Sequence, residues 1–456
     1  MGVPDAPGLF PAGSRLPVGA SGAVAVLVGA GASLTCLVSL GPMAGALGPF
    51  SVAVWAGTAL IGGLQCLLLG ELTSRFPQRA GGTPQFAYRA VPGGSATLGA
   101  LSAWCYWFAW TPGIAVNLVL AAAYLHQLAL PRVAPLPLAL LMGAALYALT
   151  ASGLRAVALA GAVLAVVSVG LVLVVVAAPA AHPGAAHWGA FGVGLRRGGN
   201  TGLASVAKWA FVASWSSYAA ETASTVAAEV RGARRVMGKV MAATGLICLA
   251  ACTLVPAALF LVAPGQVVGD PVGAVAWAAG RLLGPAAVPV AGAGVVSVLV
   301  LGALAFITSS SRTIYQLAED RHLPRVFAHV SRRSVPTGSV ILDAAVITAM
   351  LAVFGTNVVN VVAAANVGYL VVFILLPCAY LTLRASPDGS GPGSPDGIAR
   401  LGRWAVPLAA ALAAFNLALL AYGGSQWGWT VMTVGVGISL AIVPAAAWSR
   451  CPRRTQ

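Results

Sequence analysis

Apolar residues in this chain gather into long unbroken runs, and polar residues punctuate them rather than alternate with them. Twelve such runs lie at about 18–41, 50–70, 95–127, 134–152, 156–179, 203–226, 238–263, 285–311, 337–355, 359–384, 403–422 and 427–448. A helix needs roughly 20 apolar residues to cross the hydrocarbon core of a bilayer, and runs of that length without a period of two predict helices rather than barrel strands. Only those two architectures keep every backbone group hydrogen-bonded in lipid. The pattern therefore predicts an all-α integral membrane protein with twelve transmembrane helices. The third run and several others exceed the hydrocarbon thickness, so they tilt or protrude. The remaining stretches are a Pro/Gly-rich tail over 1–17, a Gly/Ser/Pro linker over 385–402 that reads as flexible, and a short tail over 449–456. No soluble domain is expected.

Composition agrees with a bilayer as solvent. Hydrophobic residues make up 59% of the chain and charged residues 8%, whereas a soluble domain is about 25% charged. The net charge of +15 invites a nucleic-acid reading, but the basic residues sit in short loops between apolar runs. Membrane topology accounts for that placement better. With the N-terminus inside and the runs alternating, 20 of the 25 basic residues fall inside and 5 (Arg132, Arg196, Arg197, Lys208 and Arg281) outside. This bias supports the division into spans, and it predicts a multi-pass protein of the cytoplasmic (inner) membrane with both termini cytoplasmic.

Other residue classes narrow the chemistry by exclusion. The cysteines are odd in number and form no CxxC, so neither a disulfide framework nor a zinc site is indicated. Cys248 and Cys252 share a helix face and read as small buried hydrophobes. His182 and His187 lack metal-ligand spacing, and Trp188 beside them reads as an interfacial anchor. No metal and no cofactor are expected. Only ten acidic residues are present, with no DDxxD or HExxH motif, which argues against an intramembrane enzyme.

The candidate chemistry lies in two places where helices are interrupted. Residues 209–239 read WAFVASWSSYAAETASTVAAEVRGARRVMGK. This segment sets Trp215, Ser216, Ser217, Tyr218 and Ala219 near mid-membrane, followed by Glu221, then Glu229 and a basic cluster of Arg231, Arg234, Arg235 and Lys239. An ionisable group inside a span is costly, so Glu221 reads as a gate or proton carrier on a pathway, with a structural carboxylate as the competing reading. In the first run, Gly29, Ala30, Gly31, Ala32 and Ser33 read either as a close-packing surface or as an unwound hinge whose bare backbone binds a solute. Interruptions in matching positions of two halves point to a transporter site, which makes the first and sixth runs the openings of two five-helix repeats. Asp343, Asn117, Asn366 and Asn416 also lie within runs, where structural hydrogen bonding is the default; Asp343 is expected to couple to Arg332 or Arg333. Tyr106, Trp107 and Trp110 form an aromatic patch on the third run.

Three segments together resemble the amino acid–polyamine–organocation superfamily of permeases. Residues 71–90, ELTSRFPQRAGGTPQFAYRA, are similar to its loop after the second helix, with the first aromatic after Gly81-Gly82 displaced. Residues 221–239 are similar to its sixth-helix exit, and residues 311–336, SRTIYQLAEDRHLPRVFAHVSRRSVP, to the segment after its eighth helix. The resemblance implies a five-plus-five inverted-repeat core (repeats about 18–179 and 203–384) with two further C-terminal helices over 403–448. It implies a secondary active transporter of amino acids or related amines working by alternating access, as symporter or exchanger. The amino and carboxylate groups of the substrate would then lie on the backbone of Gly29–Ser33 and Ser216–Ala219. Trp215 matches an aromatic that closes over the substrate, and Glu221 a gating carboxylate. Ser168 stands where many members carry a lysine that replaces sodium, and Ser309 and Ser310 offer oxygen ligands for an ion, so coupling to H+ or Na+ stays open. Expected partners are a small-molecule substrate and membrane lipid, with no nucleic acid. The alternatives are a purine/cytosine-type permease of the same architecture and a non-transporting membrane sensor or scaffold.

Overall fold

A computed structural model describes residues 36–77, 82–181, 183–189, 201–230, 232–269, 271–331, 335–354, 358–385 and 401–444. The tail over 1–17, the Gly29–Ser33 segment, most of the 385–402 linker and the tail over 449–456 lie outside the described residues. The principal helices follow the apolar runs, except that the first described one overlaps only residues 37–41 of the first run and extends beyond it. They are α1 (Leu37–Leu47), α2 (Ser51–Arg75), α3 (Ala96–Leu128), α4 (Pro135–Ala151), α5 (Leu154–Ala181) and α6 (Leu203–Ser217). After them come α7 (Ala233–Val262), α8 (Ala287–Glu319), α9 (Thr337–Phe354), α10 (Val358–Ala385), α11 (Ala405–Ala418) and α12 (Trp429–Leu440). Among the described residues there is no strand, only an isolated bridge between Val330 and Pro336.

Local chemistry sets several boundaries. The Ser95 hydroxyl accepts from the Leu98 amide at 3.3 Å and caps α3. Pro135 opens α4, where its missing N–H costs nothing. Seven helical stretches among the described residues are long and apolar enough to cross a bilayer: Leu37–Arg75, Ala96–Leu128, Leu159–Ala181, Ala233–Val262, Ala287–Glu319, Val359–Ala385 and Ala405–Gly423. Three more apolar helices, Pro135–Ala151, Thr337–Thr348 and Trp429–Pro444, are shorter.

Burial sorts the helices into a centre and a rim. The apolar window of α3 is 83% buried and those of α8 and α10 are 72% buried, whereas α5 is buried over only 17% of its window and α11 over 28%. Leu159, Val163, Val166 and Leu173 of α5 are exposed apolar side chains, which fits a face in contact with lipid rather than water. Helices α2 and α7 touch along a seam of small residues. A Cβ added to Gly245 would lie 3.2 Å from the Gly63 Cα, and one on Gly70 would lie 3.2 Å from the Gly238 Cα. Apolar burial drives little association inside a bilayer, so such close backbone approach supplies the packing instead.

One stretch departs from the sequence pattern. Residues between the seventh and eighth runs read as a loop, yet they form two short helices, Pro264–Gly269 and Pro271–Leu283, packed on α1 and α8. Val267, Ala274, Val275, Ala278 and Ala279 are buried there at helical spacing. The segment is too short and too mixed to stand out against the spans on either side.

A buried clasp joins α2, α10 and the approach to α11. The Glu71 carboxylate accepts from Arg75, from Arg384 Nη2 at 3.2 Å, from the Tyr380 hydroxyl at 2.8 Å and from the Leu401 amide at 3.0 Å. Arg384 also donates to the Leu401 carbonyl and to the Tyr380 hydroxyl. Removing the shared acceptor leaves two partly buried arginines without their counter-charge, a loss of up to about 3–5 kcal/mol. Glu71→Ala should therefore lower the thermal unfolding midpoint of the detergent-purified protein well below that of Arg75→Ala, which leaves the carboxylate its other three donors. Equal midpoints would show that the clasp does not act as a unit.

Candidate functional site

The sixth apolar run does not continue as one α-helix. Helix α6 ends at Ser217, and Ala219–Glu229 follow as 3-10 helix over 11 residues. Runs of this geometry beyond about 3–4 residues are uncommon. Local side-chain bonds accompany it. Thr222 donates to the Ala219 carbonyl and Thr225 to the Thr222 carbonyl, each at 2.7 Å and each three residues back. Side chains that bond locally to backbone compete with the α pattern. At the junction the Ser217 carbonyl accepts from the Cys248 thiol at 3.1 Å. Gly62 of α2 faces the same carbonyl, and a Cβ there would lie 2.5 Å from its oxygen.

Glu221 sits in the first turn of the 3-10 segment and is completely buried. Its Oε2 accepts from the Thr83 hydroxyl at 2.5 Å and from the Tyr106 hydroxyl at 3.1 Å, and its Oε1 from the Tyr369 hydroxyl at 3.2 Å. These neutral donors come from three places: the turn after α2, the middle of α3 and α10. The Thr83 hydroxyl also lies 3.0 Å from the Ser224 hydroxyl, and the Thr83 amide donates to that hydroxyl at 3.1 Å. The close approach requires Gly82, whose φ is +63° and whose added Cβ would lie 2.6 Å from Ser224 Oγ.

An aromatic stack adjoins the carboxylate. Trp110 stacks on Phe306 with centroids 4.5 Å apart and meets Tyr369 edge-on at 4.7 Å. Trp215 packs 5.5 Å from Trp110 and 5.6 Å from Phe306, and its indole N–H donates to the Ala109 carbonyl at 2.9 Å. The Trp215 ring rests on Gly113, where a Cβ would lie 2.6 Å from it. Tyr369 continues the stack to Phe373 at 4.8 Å, and Phe373 in turn meets Tyr218 at 4.9 Å.

The structure brings several sequence-predicted residues to one place and separates others. Trp215, Ser216, Ser217, Tyr218, Ala219 and Glu221 are all buried around the α6 junction. Tyr218 donates to Asn416 Oδ1 at 3.0 Å, and Asn366 donates to the Phe211 carbonyl and to Ser214. Ser309 and Ser310 face different partners: Ser309 lies 3.4 Å from the Thr225 hydroxyl, whereas Ser310 donates to Asp343. The aromatic patch of α3 also divides, because Tyr106 and Trp110 join the Glu221 cluster while Trp107 donates to Asp343 at 2.6 Å. Trp107 and Ser310 are thus the partners seen for Asp343; Arg332 and Arg333 lie outside the described residues. Sequence reasoning missed Thr83 and Tyr369 as donors to Glu221. Their signals were weak: a threonine directly after Gly81-Gly82, and a tyrosine one turn beyond Asn366. Among the described residues no group of three His, Cys, Asp or Glu side chains is placed to hold a metal ion.

Comparison with known proteins bears on this site. The profile of the amino acid permease family matches residues 18–443. No curated protein sequence matches significantly. The fold is similar to solved structures of the Eremococcus coleocola manganese transporter. One, in complex with an aromatic bis-isothiourea substituted compound, is 15% identical, with 94% of each chain covered and a TM-score of 0.56. A mutant of that transporter is 13% identical, with 95% of this chain and 96% of that chain covered and a TM-score of 0.59.

The α6 junction yields a paired test. Gly62→Ala pushes a methyl group against the Ser217 carbonyl and should lower stability by about 1–3 kcal/mol. Gly57→Ala, whose added Cβ meets nothing within 4 Å, should leave the melting temperature unchanged or slightly raised. Thermal denaturation followed by helical circular dichroism checks the difference, and equal effects would remove the close approach as a constraint.

Proposed function

The chain belongs to the amino acid permease family, and on that premise we propose that it is a secondary active transporter of amino acids or related amines working by alternating access. The family places it among multi-pass membrane transporters of small molecules rather than among enzymes. The finer reading has twelve spans arranged as a five-plus-five inverted repeat with two C-terminal helices. It sets the protein in the cytoplasmic membrane with both termini inside, following the distribution of basic residues between loops.

The observation that carries this reading is the α6 break with Glu221 buried beside it. Helix ends inside a bilayer leave backbone groups free for a solute, and irregular backbone at that depth is tolerated only where protein or a cavity surrounds it. In this reading the substrate lies between the Ser216–Ala219 backbone and that of Gly29–Ser33. Trp215 and its aromatic neighbours close over it. Thr83, Tyr106 and Tyr369 hold Glu221 as the gate, so opening toward the solute breaks hydroxyl–carboxylate bonds rather than an ion pair. Ser309, bonded to Thr225, is the remaining candidate oxygen for a coupling ion, since Ser310 is engaged by Asp343. The manganese transporters share the fold alone, so the substrate class here follows the family.

Two measurements test the reading. Purified protein is screened by thermal shift against amino acids, polyamines and nucleobases; a ligand present at 100 times its Kd raises stability by about 2.7 kcal/mol. A response to amino acids or amines supports the substrate class, and a response confined to nucleobases replaces it. In proteoliposomes, Glu221→Gln should flatten the pH dependence of uptake while leaving the protein folded. An unaltered pH profile would make Glu221 a structural carboxylate. Trp215→Ala should weaken substrate affinity, and wild-type kinetics would move the site elsewhere.

A further inference from the structure

Glu221 has a buried counterpart. Asp343 of α9 has no exposed surface, and it accepts from Trp107 Nε1 at 2.6 Å and from the Ser310 hydroxyl. One residue that serves Glu221, and one that touches the segment carrying it, are the immediate neighbours of these two donors. Tyr106 donates to Glu221 and lies beside Ser309, which contacts the 3-10 segment through Thr225. Consecutive residues on a helix point about 100° apart. Helix α3 therefore offers one flank to Glu221 and another to Asp343, and α8 offers one flank to the 3-10 segment that carries Glu221 and another to Asp343.

The two sites also share a device. Each carboxylate is held by a hydroxyl that has a second partner in reach. Thr83 donates to Glu221 and lies 3.0 Å from Ser224 Oγ. Ser310 donates to Asp343 and lies 3.3 Å from the Ile307 carbonyl. A hydroxyl carries one proton and two lone pairs. When Asp343 is ionised, the Ser310 proton points at it. When Asp343 takes a proton, its new O–H donates to Ser310 Oγ, and the Ser310 proton turns to the Ile307 carbonyl. No group is orphaned in either state, which a carboxylate clamped by an arginine would not allow. The elements packed on α9 are α3, α4, α8 and the turn Arg325–Ala328. Titratable or charged groups on those elements include Tyr147 of α4, in electrostatic reach of Asp343, Tyr106 of α3, whose hydroxyl goes to Glu221, Arg312, Tyr315 and Glu319 of α8, and Arg325 of the turn.

We infer that Asp343 binds and releases a proton during the transport cycle, with Ser310 as the hydroxyl that reorients to accommodate it. The assignment deepens the transport reading above and rests on it. Movement of α8 against α3 would alter both places, because Tyr106 and Trp107 are adjacent on α3 and hold the two acids, and Ser309 and Ser310 are adjacent on α8 and touch the 3-10 segment and Asp343.

The first test needs no substrate. Infrared difference spectra over a pH titration of purified wild type, Glu221→Gln and Asp343→Asn should show a carboxylic-acid C=O band that only Asp343→Asn removes. Spectra of Asp343→Asn identical to wild type would overturn the assignment. Ser310→Ala keeps the acid and removes the turning hydroxyl, so it should shift the pH midpoint of that band; an unmoved midpoint counts against the mechanism even if Asp343→Asn fails to fold. The second test uses proteoliposomes and a radiolabelled mixture of the common amino acids. With an inward gradient of one pH unit, loss of one coupled proton lowers the limiting accumulation about tenfold. The ratio of accumulation to counterflow should fall by about that factor in Asp343→Asn. An unchanged ratio overturns the proton role while the transport reading stands. Absence of counterflow in wild type removes the transport reading itself and leaves the infrared result to decide Asp343 alone.

Discussion

The cost of keeping a carboxylate away from water organises the middle of this molecule. An ionisable group in the membrane interior is expensive unless other groups satisfy it. Glu221 meets that condition with hydroxyls from the turn after α2, from α3 and from α10, so three separate pieces of chain converge on one side chain. The convergence in turn fixes the depth of the 3-10 segment and the register of α3 against it. Gly82 and Gly62 are consequences of the same demand, because each lets backbone come closer than a side chain would permit.

Neutral donors give this centre a different character from the clasp at Glu71. At Glu71, two arginines compensate the charge directly, and the assembly ties α2 to α10 and to residue 401. At Glu221 and Asp343 hydroxyls and an indole do the work. An arginine holds one arrangement, whereas a hydroxyl turns at small cost. The fold therefore separates a fixed tie at one end of α2 from adaptable contacts at its centre.

Much of the fold was legible because hydrophobic runs and helices obey the same length constraint in a bilayer. The α6 break was legible too, since Ser216, Ser217 and Tyr218 interrupt an apolar run and Glu221 follows. Its 3-10 continuation was not, because the back-bonding of Thr222 and Thr225 is a property of geometry rather than of residue type. The partners of Glu221 were hidden for a simpler reason: Thr83, Tyr106 and Tyr369 are far apart in sequence and unremarkable singly. The expected partners of Asp343, Arg332 and Arg333, lie outside the described residues, and the residues seen to hold it, Trp107 and Ser310, come from two other helices. A single sequence carries no information on which face of α3 meets α9, so that pairing was open. The helical pair over 264–283 was lost among stronger neighbours.

The winding of the segment after Ser217 has a mechanical corollary. A 3-10 helix advances about 2.0 Å per residue against about 1.5 Å for an α-helix, so the 11 residues Ala219–Glu229 span about 5 Å more than they would as α-helix. The pitch of this segment therefore sets how far the start of α7 lies from the end of α6.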